Sequence, residues 1–583
     1  MLTNYRVIPI KLLKIAPLIV PLIIGIAIKD PLASLYSTMA NPAPIMAIAP
    51  SSDQLAALAD QAYALNQHGK TKEAIDLSHS ALRSSPSVAR ILLQTGSSYA
   101  SQNNHDMAVH YYTCALTLEP RYISGYIALS ISLMQLKQYQ KAIEYCSMAL
   151  KLMPDNLDAH LQLSKAYMDL GDYAKALSHA QAAYDLQPTN VHTLLNLGHI
   201  HNKQGTLDEA CTWYKKAIAL NLNFANAHYN LGYTLRIMKK PHEALTHLLK
   251  AEQLKPGYVD AHIALAQTYW GLKEYDRAWK EYEWRWKLLG VDPHAMETPL
   301  WDGCDLQGKT ILLYCEQGLG DTLQFIRYAK MVKQKGGIVI AKIQKPLVDL
   351  LKSYPHVDRF ITSMDDVKGT KIDYQTPLLN LPGIFKTNEQ TIPAEIPYLK
   401  ADAKLVKFWQ QKLASDKKYK IGLCWHVDPE HELDKSPWSK RNIEAKQFVP
   451  LAQISGVSFY SLQKVNGEDQ LKQVPENFTV HTFGYNFDEK HGRFMDTAAV
   501  IANLDLIITV DTSIAHVAGA MGKNVWMLLP YSPDPRWYDE GNNSKWYPTM
   551  KLFRQPKPYD WHSVIENIKS DLKKEAQHML GNT

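Results

Sequence analysis

At 583 residues the chain is too long for one compact core, and an apolar fraction of 46% with a charged fraction of 21% excludes both a disordered chain and a polytopic membrane protein. Its net charge of +6 comes from 63 basic and 57 acidic residues without a long basic block, so nothing in the electrostatics argues for nucleic acid as a partner. The six cysteines, Cys114, Cys146, Cys211, Cys304, Cys315 and Cys424, have neither CxxC spacing nor a histidine cluster beside them, which excludes a recognisable disulfide framework or zinc site and fits a reducing compartment.

Residues 1–52 carry an apolar run, Ile15 to Ile28, preceded by Arg6, Lys11 and Lys14 in the manner of a signal peptide. The run is shorter than the roughly 20 residues of a spanning helix and contains Pro17 and Pro21. Three accounts stand: a signal sequence with a small-residue site near Ala40, a membrane anchor using residues 7–28, or an over-extended start whose true beginning is Met39.

Residues 53–290 repeat. Pro86, Pro120, Pro154, Pro188 and Pro256 share one 34-residue register, with Leu222 and Gly290 in the slots that lack proline. Paired alanines recur with it, as in Ala74 and Ala81, Ala108 and Ala115, Ala142 and Ala149, Ala210 and Ala217, and small residues at helix crossings permit close approach. The unit Leu163, Tyr167, Gly171, Tyr173, Ala176, Ala183, Pro188 is similar to the tetratricopeptide consensus, and about seven units fit between Asp53 and Gly290. Such units bury their apolar faces only by stacking, which predicts an α-solenoid with a concave wall for a partner. His160, His192, His199, His228 and His262 lack the i, i+4 spacing of a metal site and are read as solvated or groove-lining groups.

Beyond the aromatic stretch Tyr282, Trp284, Trp286, β-rich runs alternate with amphipathic ones, which predicts α/β architecture with parallel sheets. A first lobe, 301–396, opens with a strand at Thr310 to Cys315, a turn through Gly318 and Gly320, and a helix from Thr322 to about Lys335. Residues 397–419 form a connection. A second lobe, 420–583, holds strands at Lys420 to Trp425, Val457 to Leu462, Leu506 to Val510 and Asn524 to Leu529, a helix from Thr512 to Met521, and a closing helix near His562 to Lys573.

Ligands of open α/β sheets bind beyond the carboxyl ends of the strands, so Gly318 to Asp321 and Asp511 to Ser513 are expected to border one crevice. Backbone N–H groups at the start of the Thr512 helix, with the Thr512 and Ser513 hydroxyls, suit a diphosphate; the plainer use of Asp321, Thr512 and Ser513 is helix capping. A dinucleotide oxidoreductase would need a third glycine where Leu323 stands, and a P-loop would need GKS or GKT, which does not occur.

The strings EQGLGDTLQFIRY at Glu316 to Tyr328 and VDTSIAHVAGAMGKNVWMLLP at Val510 to Pro530 resemble the two motifs of glycosyltransferase family nine, the heptosyltransferase-like enzymes. With EYEWRW at Glu281 to Trp286, SLQK at Ser461 to Lys464 and PDPRW at Pro533 to Trp537, the chain is similar to bacterial tetratricopeptide-repeat glycosyltransferases from about Glu281 to its end. The resemblance implies two Rossmann-like domains of GT-B type and sugar transfer from a nucleotide-sugar substrate, with no bound metal and no cofactor. It places Asp321 as the catalytic carboxylate, a general base toward an acceptor hydroxyl. Gly318, Gly320, Lys440, Arg441, Asp511, Thr512, Ser513 and His516 are the donor-side candidates, with Lys440 or Arg441, Thr512 and Ser513 meeting charge on the departing diphosphate. Asn442 stands where serine is expected, which leaves the contact of the Arg441 loop open. The acceptor expected at the repeat groove is a protein, with an envelope glycan or lipopolysaccharide as the alternative and a scaffold without turnover as the rival from another class. Nucleotide sugars place the activity in the cytoplasm, with membrane association at the inner face left open.

Overall fold

The computed structural model describes residues 70–84, 89–292, 297–427, 438–464 and 466–581, together with residues 61, 64, 65 and 68. The three accounts of the amino terminus and the first part of the first repeat lie outside them. Among the described residues no helix is long and apolar enough to cross a membrane.

Two compact units divide the chain, one up to Leu152 and one from Met153 to the end. The first holds helices α1 (Thr71–Ser84), α2 (Ala89–Ser101), α3 (His105–Leu118), α4 (Ile123–Gln135) and α5 (Tyr139–Leu152). The second continues the series with α6 (Leu157–Asp169), α7 (Tyr173–Leu186), α8 (Val191–Gln204), α9 (Leu207–Leu220), α10 (Ala225–Ile237), α11 (Pro241–Leu254), α12 (Val259–Gly271) and α13 (Tyr275–Tyr282). The period follows from packing. Ala108, Ala115, Ala142, Ala149, Ala176, Ala183, Ala210 and Ala217 are at most 1% exposed, so the antiparallel helices meet where side chains are smallest. A methyl at Gly198 would stand 2.5 Å from the Tyr214 ring, and one at Gly96 would stand 2.7 Å from that of Tyr112, the same junction three units earlier. Asn104, Asn156, Asp172 and Asn190 cap their helices through side-chain oxygens, which serves the orphan N–H groups of the first turn.

Two of the histidines correct the sequence reading, whereas His192 is exposed and His199 lines the cavity described below. His228 and His262 are buried rather than solvated. His160 and His228 each set Nδ1 3.1 Å from Nδ1 of a partner, His179 and His247, and place Nε2 on the carbonyls of Pro154 and Leu222. His262 sits 2.6 Å from Glu281 and stacks on Trp284. At His160 and His228 this repeat position ties the loop between units to the next helix pair.

The rest of the second unit contains two parallel sheets. The first has the order β3-β2-β1-β4, with β1 (Thr310–Tyr314), β2 (Ile338–Lys342), β3 (Arg359–Ile361) and β4 (Tyr374–Pro377). The second has the order β10-β9-β8-β5-β6-β7, with β5 (Tyr419–Cys424), β6 (Val457–Ser461), β7 (Val480–His481), β8 (Leu506–Val510), β9 (Val525–Leu529) and β10 (Met550–Arg554). Every residue of β6, β8 and β9 is buried, as a parallel sheet covered on both faces requires. Strand order reverses at β1 in one sheet and at β5 in the other. Those are the places where connections leave in opposite directions and open a crevice.

Helices α14 (Leu319–Phe325) and α15 (Ala329–Gln334) replace the single helix expected from Thr322 to Lys335, with a 3₁₀ turn at Ile326–Tyr328 between them. The break buries Arg327, whose guanidinium donates to the carbonyls of Gln324, Pro393 and Trp546. The 397–419 connection is itself built around α16 (Ala403–Leu413), which packs on α17 (Met495–Asn503) and donates from Trp409 Nε1 to Asp496. α18 (Ser513–Ala520) follows β8, and the closing helix, α19 (Trp561–Gly581), is longer than expected.

Candidate functional site

The chain leaves β1 through Glu316 and Gln317 and turns into α14 at Gly318. Asp321, third in that helix, accepts the Gly318 N–H through Oδ2 at 3.0 Å, so the capping role exists. It does not exhaust the side chain, because Oδ1 lies 2.7 Å from Nη1 of Arg536.

On the other sheet, β8 delivers Asp511, and Thr512 caps α18 by accepting the Ile514 N–H at 3.2 Å. Asp511 is buried. Trp537 Nε1 donates to its Oδ2 at 2.9 Å, His516 Nε2 stands 3.7 Å from Oδ1, and Arg441 donates to its backbone carbonyl at 3.1 Å. Burial alone would raise its pKa, but the His516 contact and the charges of Arg441 and Arg536 outweigh burial and hold the carboxyl well below the usual range. The opposite ring nitrogen of His516 is 2.9 Å from the Tyr547 hydroxyl, so this histidine packs within the protein as well as facing the site.

α14 and α18 pack against each other. A methyl on Gly320 would stand 2.7 Å from His516 Cδ2, so glycine there is what lets the two helix starts come together. Gly318, Gly320, Asp321, Arg441, Asp511, Thr512, Ser513 and His516 all line one cavity of ≈ 1580 Å³. Lys440 does not: its neighbours Ser439 and Arg441 reach the lining while Lys440 is exposed. Asn442, the departure noted above, accepts from the Val427 N–H at 2.6 Å and donates back to the Val427 carbonyl, which ties the stretch after Arg441 to the residues that follow β5.

Several groups at this cavity were not assigned a role from the sequence. Arg536 joins Asp321 to Asp534 and to Gln324, from the PDPRW string whose position was noted but whose partners were not. Glu316 and Arg285 form a buried ion pair at 2.6 Å, with Trp286 Nε1 donating to the same carboxylate and Arg285 donating to Asn380. Burial pushes the Glu316 carboxyl upward despite the opposing charge of Arg285. The EYEWRW string is therefore the seam between the last repeat and the first sheet. A second seam lies at Trp438, 1% exposed, whose indole points to Asn202 at 3.4 Å and rests on Gly205 at the end of α8. The repeats also build cavity wall, through Tyr229, Tyr233, Arg236, Asp260, Gln267 and Trp270.

This arrangement can seat an anion at the α18 start, beside the Thr512 and Ser513 hydroxyls and Arg441, with the Asp321 carboxylate lining the same cavity.

Models described as tetratricopeptide repeat match residues 89–122, 133–178 and 225–258, and one described as TPR repeat matches 198–236. Protein FlbA of Caulobacter vibrioides is 23% identical over 318 residues, covering 51% of this chain and 52% of that protein. The chain thus spans about half the length of the curated relative it matches. Among solved structures, a tetratricopeptide repeat protein from Parabacteroides merdae is 16% identical, covers 42% of this chain and 96% of its own, and has a TM-score of 0.36. The Thermus thermophilus repeat protein TTC0263 is 22% identical, covering 31% and 98%, with a TM-score of 0.29. Period, helix pairs and family matches agree that the solenoid in the first half of the chain is an array of tetratricopeptide repeats.

Proposed function

We propose that the two-sheet region is a glycosyltransferase of GT-B type which needs no metal and moves a sugar from a nucleotide-sugar donor to a hydroxyl on a protein held by the repeat groove. The observation that carries the reading is that Asp321, at the switch point of one sheet, and the Thr512 helix start, at the carboxyl edge of the other, border the same cavity. Asp321 takes the proton of the acceptor hydroxyl as its oxygen attacks the anomeric carbon. The diphosphate leaves toward Thr512, Ser513 and Arg441, which line the same cavity. Repeat residues in the same wall support an acceptor bound beside the donor rather than at a distance. A nucleotide-sugar substrate supports work on the cytoplasmic side.

The Asp321–Arg536 ion pair favours a scaffold without turnover. A thermal-shift screen of the full chain against UDP-, GDP- and ADP-linked sugars, with and without chelator, separates the two. The enzyme reading expects a rise in Tm with one donor that chelator leaves unchanged, and Asp321→Ala is expected to keep that rise while losing turnover. No shift with any donor, or full turnover in Asp321→Ala, defeats it.

A further inference from the structure

Arg536 is 14% exposed and lines the cavity, so it is within reach of a ligand. Its Nε and Nη2 grip the Asp534 carboxylate at 2.9 and 3.3 Å, while Nη1 serves both Asp321, at 2.7 Å, and the Gln324 carbonyl oxygen, at 2.8 Å. The guanidinium lies over the Phe325 ring, 5.5 Å from its centroid. The grip on Asp534 makes a pivot, and the bond to Asp321 is a single arm. Gln324, fully buried, gives its side-chain oxygen to the arm and leaves its amide nitrogen without a hydrogen-bond partner.

Asp321 Oδ1 is occupied by Arg536 at 2.7 Å and Oδ2 by the Gly318 N–H at 3.0 Å, yet the proposed reaction needs one of these oxygens free to meet the acceptor hydroxyl. We propose that Arg536 is a donor-responsive lock: it holds Asp321 while the cavity is empty, and on donor binding its free arm swings to the diphosphate, releasing Asp321 as base. This rests on the glycosyltransferase reading. A diphosphate carries more negative charge than one carboxylate and accepts from the planar fork of arginine, so it competes well for the arm. The step balances as follows. The acceptor oxygen bonds to the anomeric carbon and its proton passes to Asp321. The bond from that carbon to the diphosphate oxygen breaks, and the nucleoside diphosphate keeps the electron pair, its charge met by Arg536. Besides Arg536, the groups whose charge acts with that of Asp321 are Glu316 and, from α13, Tyr282; Asp534 and Asp511 face Arg536, and His516 stands against Gly320.

The test uses donor hydrolysis, with water as acceptor, by the full chain and whichever donor raises Tm. The pH dependence of kcat/KM reports the free enzyme and that of kcat the donor complex. The lock expects the acid limb of kcat to lie at higher pH than that of kcat/KM in the wild type, by about one unit or more. In Arg536→Gln the two limbs are expected to coincide and kcat to fall about 10²-fold, as for the loss of one charge-stabilising donor. Arg536→Lys is expected to restore part of the split. Coincident limbs in the wild type, or an undiminished split in Arg536→Gln, overturn the lock while leaving the transferase standing. Absence of turnover with every donor overturns the transferase instead. If Arg536→Gln does not fold, the wild-type limbs and Arg536→Lys still decide.

Discussion

Asp511 and Asp321 are both acids at helix starts, yet their surroundings differ. Asp511 is enclosed, receives the Trp537 N–H and faces His516 and Arg441, and its pKa is held low. A carboxyl whose folded pKa lies below its unfolded value, about 3.9, stabilises the fold above that value and loses the contribution as pH falls through the acid range. The urea midpoint of the wild type is therefore expected to fall on acidification from about pH 5 to pH 3 more steeply than that of Asp511→Asn. Equal slopes would remove Asp511 from the account of acid stability. Both aspartates were legible in the sequence because each stands in a strand-to-helix turn with hydroxyl or glycine neighbours. Arg536 was not, because a lone arginine in PDPRW gives no sign of which carboxylate the fold will bring to it. Lys440 and Arg441 show the converse: two adjacent cations look equivalent, and only the path of the loop decides which one faces inward.

Among elements, the decisive contact is that of α14 with α18. A methyl at Gly320 would meet His516 at 2.7 Å, while one at Gly318 would meet only the Asp321 carboxylate, at 3.3 Å. Gly320→Ala is expected to cost about 1–3 kcal/mol, as overpacking does, and Gly318→Ala clearly less. Chemical denaturation of the two variants checks the order, and equal losses would mean that the helices do not need this approach. β1, β5, β6, β8 and β9 were legible because their apolar runs are short and bounded by turn residues, whereas β2, β3, β4, β7 and β10 were not placed, β3 and β7 being only three and two residues long. The break between α14 and α15 was not, because Leu-Gln-Phe-Ile-Arg-Tyr continues a helical pattern. What ends the helix is the burial of Arg327 among carbonyls that belong to Pro393 and Trp546, far along the chain.

At the scale of the molecule, the last repeats and the first sheet are joined by the buried Arg285–Glu316 pair, by Tyr275 to Glu389 and by Trp279 to the Thr387 carbonyl. Arg285→Met leaves Glu316 buried without its partner and is expected to cost about 3–5 kcal/mol, whereas Arg285→Met with Glu316→Leu recovers most of it. A double-mutant cycle by urea unfolding measures this, and a single-variant loss under about 1 kcal/mol would show that the pair does not hold the seam. A 34-residue period reveals the solenoid because every unit obeys the same packing rule. It is silent about the seam, where each contact is made once.

The seating of Trp438 on Asn202 and Gly205 bears on attempts to redirect this protein by exchanging repeats. A chimaera with foreign units from Val191 onward would unseat the indole that steadies the stretch bearing Arg441, and would disturb the far wall of the cavity along with the repeat wall. Grafts ending before Val191 would leave that perch intact, and exchanges of single wall residues such as Tyr233 or Gln267 would reshape the cavity without touching it.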